Sequence, residues 1–185
     1  MYRTLVSLLG SAALAGCASF AAPAPAPAEA AVSVINVLSW NHALSGKRDG
    51  LRSSWPLHRL AGQAEPFPLA QVKQCQGQAC SWGVLKASRT VRTVQADGQG
   101  VTLGLAVDVS VARSQEQQVG VQQAAVTIPA DVPALSATRR VERTLALPWG
   151  QVAHFDFDFG IAYDICATRL DAAGEPLDRC ALPYF

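Results

Sequence analysis

Apolar residues recur at every second position over most of the chain beyond residue 32, and a period of two predicts strands rather than helices. The longest run sets Val101, Leu103, Leu105, Val107, Val109 and Val111 against Thr102, Gly104, Ala106, Asp108, Ser110 and Ala112, which describes a strand with one apolar face. A second row, Val152, Phe155, Phe157 and Phe159, lies beside His154, Asp156 and Asp158. Val141, Leu145 and Leu147 outline a third strand, joined to the second through the tight connection Pro148-Trp149-Gly150. Further strands are expected near 33–40, 81–96, 119–128, 160–170 and 177–184. The fold class is therefore all-β, an antiparallel sandwich or partly open barrel. Asn41 to Glu65 follows neither period and is expected to be an irregular loop, with a helical turn near Trp55 to Leu60 that Ser54 caps. Ala134 to Leu147 can also be drawn as a helix, which leaves that strand the softer assignment.

The pattern is different at the N-terminus. Leu5 to Ala15 are all apolar or small, follow the single cation Arg3, and are too few to span a bilayer as a helix. They end on Leu14-Ala15-Gly16-Cys17, which resembles the lipobox of bacterial lipoproteins: small residues let the chain enter a peptidase groove extended, and the next cysteine supplies the thiolate for lipidation. The resemblance implies cleavage before Cys17 and an acylated N-terminus, each buried methylene adding about 0.8 kcal/mol of membrane affinity. Ala18, where aspartate often marks inner-membrane retention, implies the outer membrane, with the domain facing the periplasm. An ordinary secretory signal cut near Ala18 or Ala21 is the competing reading. The organisation that follows is a signal peptide over 1–16, a lipidated Cys17 and Pro/Ala-rich tether over 17–32, and one β-rich domain over 33–185. The alternating prolines of the tether favour extended polyproline II.

Removing residues 1–16 takes Arg3 from the fifteen basic side chains and leaves fourteen against fourteen acidic ones. A neutral domain gives no argument for nucleic acid as a partner. Of five cysteines, one is the anchor, and Cys75, Cys80, Cys166 and Cys180 remain as an even set for an oxidising compartment. Three pairings are formally open. Cys166 and Cys180 flank the turn-like Asp171-Ala172-Ala173-Gly174-Glu175-Pro176 as hairpin partners would, and Cys75 and Cys80 flank Gln76-Gly77-Gln78-Ala79, so two local bridges are favoured. Structural zinc would need paired C-x-x-C spacing, which these four lack.

The order of features from Gly100 to Asp158 resembles part of the β-domain of secretins, the ring-forming outer-membrane channels of secretion systems. In that family a strand like Gly100-Val101-Thr102-Leu103 to Val107-Asp108-Val109-Ser110 precedes a polar variable stretch, a run similar to Ser136 to Leu145, and a turn and strand like Trp149-Gly150-Gln151-Val152. The match departs at Phe155-Asp156-Phe157-Asp158-Phe159-Gly160, where a glycine pair and a Leu-Gly-Asp-Ile-Pro stretch belong. The resemblance implies a secretin-like β-module in another role, not a complete secretin. Tyr184-Phe185 is similar to the C-terminal aromatic of outer-membrane barrels, but a buried chain end explains it better.

No G-x-S-x-G elbow, H-E-x-x-H pair or G-x-x-x-x-G-K-[ST] loop occurs, so no enzymatic activity, catalytic residue or cofactor is expected. The weak metal candidates are His154, Asp156 and Asp158, which alternate on one strand face; a solvated face opposite the Phe row explains them as well. His42 and His58 join them only if the fold brings the three histidines together. Trp40, Arg48, Arg52, Trp55 and Arg59 combine aromatic anchors with a basic rim, the composition of a protein interface; tryptophans packed on the sandwich beneath a solvated loop are the alternative. The functional expectation is a non-enzymatic outer-membrane lipoprotein, held by its N-terminal lipid, that acts as a binding or structural subunit of a cell-envelope assembly and meets an envelope protein or further copies of itself. The alternative is a periplasmic ligand- or metal-binding lipoprotein.

Overall fold

The computed structural model describes residues 31–185, so the expected signal peptide, Cys17 and nearly all of the expected tether lie outside the described residues. The strands are β1 (Val32–Asn41), β2 (Arg48–Pro56), β3 (Ala61–Pro66), β4 (Ala70–Gln76), β5 (Ala79–Ala96), β6 (Gly100–Ala112), β7 (Ser114–Val119), β8 (Gln122–Thr127), β9 (Ala137–Pro148), β10 (Val152–Asp156) and β11 (Ala162–Arg169). They form an all-β, antiparallel sandwich. The front sheet has the order β10-β11-β1-β2, the back sheet the order β3-β5-β6-β9 with β4 also on β5, and β7 pairs with β8 as a separate hairpin.

Alternation works as expected in β6, whose Val101, Leu103, Leu105, Val107, Val109 and Val111 are all buried between the sheets. The facing layer comes from Val34, Leu38 and Trp40 of β1, Tyr163, Ile165 and Ala167 of β11, and Phe155 of β10. Residues 134–147 make no helix, because β9 pairs with β6 from Ala137 opposite Val111 to Pro148 opposite Gly100 and its bonds are spent on that ladder. The turn at Trp149-Gly150 carries the chain from the back sheet to the front one, with Gly150 at φ +75° and its amide on Ala167 O.

Asn41 to Glu65 is not an irregular loop. β2 pairs with β1 from Arg48 opposite Asn41 to Pro56 opposite Ser33, a 3-10 turn covers Leu57–Arg59, and β3 pairs with β5. The turn begins at Pro56 without a side-chain cap, and Ser54 Oγ bonds Ser33 Oγ instead. β2 is an edge strand, and an edge can be polar on either face, so it has no alternation to read. β4 and β7 were invisible for the same reason.

The expected strand over 177–184 is also absent. That segment is a strap across the outer face of the front sheet. Arg169 grips Asp178 through Nη2 (2.7 Å) and Nε (3.0 Å), Cys180 is bonded to Cys166, and Leu182 is buried against Ile35 and Val37. Phe185 then lies on Gly50, where a Cβ would come within 2.6 Å of its ring, and Arg52 stacks on Tyr184. Tyr184 and Phe185 are exposed, not a buried chain end. The strap explains why β1 and β11 are buried along almost their whole length: one face meets the core and the other the strap. Both predicted disulfides form, Cys75–Cys80 closing the β4–β5 hairpin and Cys166–Cys180 tying the strap to the sheet rather than one strand to the next. Each is worth about 2 to 3 kcal/mol by loop closure.

Candidate functional site

The histidine cluster lies on β10 and β11. Val152, His154 and Asp156 point to the outer face of the front sheet, and Phe155 to the core, so Val152 does not share the phenylalanine row and packs instead under the strap. Phe157 is buried, while Asp158 and Phe159 belong to a 3-10 turn, Phe159 at φ 61°. Asp158 therefore does not share the strand face of His154. Its place is taken by Asp164, opposite His154 on β11. His154 Nδ1 bonds Asp164 Oδ1 at 2.6 Å and Nε2 bonds Asp156 Oδ1 at 3.0 Å. A neutral imidazole has one N–H to give, whereas the imidazolium donates from both nitrogens. The bond to Asp164 accordingly raises the His154 pKa above its usual value against the opposing effect of burial, and the bond to Asp156 adds a lesser upward contribution.

Sites whose folded pKa is raised stabilise the fold at low pH. The His154 contribution is fully present below about pH 6.5 and is lost as the pH rises through the raised value. In an NMR titration the His154 ring should titrate above the ordinary histidine range, and Asp164→Asn should lower its midpoint; equal midpoints would contradict this role of Asp164. As an imidazolium donating to both carboxylates, His154 has no lone pair for a cation. No group of three His, Cys, Asp or Glu among the described residues is arranged to hold a metal. His42 sits in the turn at one end of the β1–β2 hairpin, where its Nδ1 accepts the amides of Leu44 and Ser45, and His58 lies beyond the other end. The fold does not gather the three histidines.

The predicted interface residues are similarly dispersed. Trp40 is buried in the core. Arg48 donates to Ser39 Oγ (2.7 Å) and to Gly160 O, tying β2 to the 3-10 turn, and Arg52 lies under Tyr184. Arg59 is exposed on the 3-10 turn near Trp55. Trp55 itself covers Arg89, a residue that sequence reasoning did not single out. The Arg89 guanidinium, 6% exposed, sits 3.9 Å from the Trp55 ring centre and 4.2 Å from that of Phe67, with Glu65 at 3.1 Å. Tyr163, fully buried, stands edge-on to Phe67 at 6.4 Å. Burial lowers the Arg89 pKa and pushes the Tyr163 phenol up. The cleft beside Arg89 measures about 30 Å³, room for a water molecule but not for an organic ligand. This arrangement closes the lateral seam between β2 and β3 and is structural.

The opposite seam lies between β10 and β9. Arg139 and Arg143 of β9 lie over Phe157 and Phe155 at 5.9 and 5.8 Å. Both arginines are exposed, and among the described residues neither makes an ion pair. On the other face of β9, Arg140 is held by Asp108 (2.8 Å) and Glu142 (2.9 Å) beside a cleft of about 330 Å³ floored by Gly104 and Ala106. β9 ends the back sheet, so its twelve residues present one unpaired backbone side. No protein family, curated protein or solved structure matches the chain.

Proposed function

We propose that the protein is a non-enzymatic, lipid-anchored subunit of a cell-envelope assembly at the outer membrane, binding another protein chain through the β9 edge of its back sheet. The observation that carries this reading is the β9 edge. At about 3.3 Å per residue it offers roughly 40 Å of unpaired backbone, and an open edge of that length is a template for strand addition. Two disulfides and the strap hold the rest of the sandwich rigid, so a partner strand would meet a preformed edge at little ordering cost. Leu14-Ala15-Gly16-Cys17 and the Pro/Ala tether supply the anchoring, and the likeness of residues 100–158 to a secretin β-module makes secretion the first assembly to examine.

Cross-linking in native membranes, read by mass spectrometry, tests the proposal with the wild type and a Cys17→Ala variant. The expected result is a defined envelope partner or a ring-sized oligomer that disappears with the anchor. A clean monomer in the wild type would overturn the reading.

A further inference from the structure

We infer that the β9 edge selects a strand of an acidic partner, with acidic side chains four residues apart on either side of an apolar one; this rests on the edge-binding reading above. Successive residues of a strand point to opposite faces, so Arg139, Val141 and Arg143 share the seam-side face of β9. A strand added to that edge places three of its own alternate residues directly opposite them, with Cβ atoms about 4.5 to 5.5 Å apart. Opposite charge is favoured at the two ends of this triplet, and an apolar side chain in the middle, against the half-buried Val141.

The two seams of the sandwich differ in one respect that matters here. On the β2–β3 side, the arginine over the aromatic rings is buried and already answered by Glu65. On the β9–β10 side, two exposed arginines lie more loosely over Phe157 and Phe155, at 5.9 and 5.8 Å, with no carboxylate supplied by the described residues. The missing charge is complementary to an acidic strand.

The same arginines act against a second copy of this chain. In a two-fold antiparallel pairing, residues at equal distances from the axis face one another. An axis through Val141 sets Arg139 against Arg143 twice on the seam-side face, while Arg140 meets Glu142 on the other face. An axis through Arg139, Arg140, Glu142 or Arg143 sets that residue against itself. Like charges directly opposite are destabilising, so every central register of self-pairing carries a repulsion that an acidic partner lacks.

The test titrates full-length protein in detergent into two fluorescently labelled peptides, Thr-Glu-Thr-Val-Thr-Glu-Thr and the same sequence with both Glu replaced by Lys. The wild type should prefer the acidic peptide by about tenfold or more, with the preference shrinking as salt screens it. Arg139→Glu/Arg143→Glu should reverse the preference, and Arg139→Lys/Arg143→Lys should keep it. Both positions are exposed, and an unchanged melting temperature shows that the variants fold. No preference in the wild type, no binding of either peptide at millimolar concentration, or a preference that survives the charge reversal would overturn the inference. Repeating the native-membrane cross-linking with the charge-reversed chain separates the two readings. A partner retained despite reversal leaves the assembly role standing and removes the acidic strand; a homo-oligomer formed through β9 makes the second copy the occupant and also removes it.

Discussion

Tyr163→Ala is expected to cost about 3 to 5 kcal/mol of folding stability, the range for deleting a fully buried aromatic ring. Tyr163 stands on β11 near the middle of the front sheet, with no exposed surface, and its ring meets the edge of Phe67 from the opposite side of the core. No neighbouring strand can collapse into the space, because β11 is held on one side by β1 and on the other by β10. Tyr163→Phe is expected to behave quite differently. The hydroxyl is buried and makes no hydrogen bond to another protein group, so its removal discards a desolvated dipole and no bond. The Phe variant should unfold within about 1 kcal/mol of the wild type. Denaturant unfolding of both variants measures the contrast, and a Phe variant as unstable as the Ala one would mean that the hydroxyl, not the ring, holds the core.

Arg89→Ala should cost about 2 to 4 kcal/mol, nearly all of it through packing and ring contact rather than through the ion pair. The guanidinium fills the space between Trp55 and Phe67, whereas Glu65 is 48% exposed and remains hydrated when its partner is lost. Arg89→Met keeps a long apolar stem between the two rings and avoids desolvating a charge, so it should recover most of the loss. The loss in Arg89→Ala should also be nearly independent of salt. A cost that vanished in high salt would assign the effect to Glu65 instead. Neither the Tyr163 nor the Arg89 substitution touches the β9 seam, so variants that still fold should bind the acidic peptide like the wild type, separating stability from recognition.

The strap shows how tightly the fold is coupled at its outer face. Asp178 is pulled below the usual carboxylate range by its bonds to Arg169, so this clamp weakens as the pH falls through the lowered value. His154, on the same sheet but beyond the strap, is strengthened by acid. The two groups therefore have opposite pH dependence on one face, and the His154 titration proposed above reads its own member of the pair directly.

The legible parts of the chain were those in which one strand face is buried and the other wet. β6 is the clearest, since its alternation follows from having core on one side and the polar outer surface of the back sheet on the other. The two disulfides were legible too, because Cys75 and Cys80 are directly opposite in a hairpin and Cys166 and Cys180 are separated by a short turn. β1 gave a weaker alternation, and its partner β2 almost none; the first is covered on both faces and the second is a polar edge. The strap resembled a strand because Leu177, Cys180 and Leu182 are apolar, yet Pro183 and its path across the sheet leave it no ladder to join.

For the candidate sites, sequence placed the right residue types at the wrong distances. It set His154 beside Asp156 on one strand face, which is local geometry, but chose Asp158 over Asp164, since only pairing in register brings β11 alongside β10. It grouped Trp40 and Trp55 by their nearness along the chain, although the first belongs to the core and the second covers Arg89 from another sheet. Arg89 itself lay within an alternating run where a charge at an inward position reads as an error of phase. Only the sandwich makes it an interior residue, by bringing Trp55 from β2 and Phe67 from beyond β3 to its two faces. Strand period, turn residues and cysteine spacing are local quantities, and they determined the all-β class, the long strands and the bridges. Which edges stay open, which arginines are answered by a carboxylate and which face the strap covers depend on contacts between residues far apart in the chain, and those were decided by how the two sheets pack.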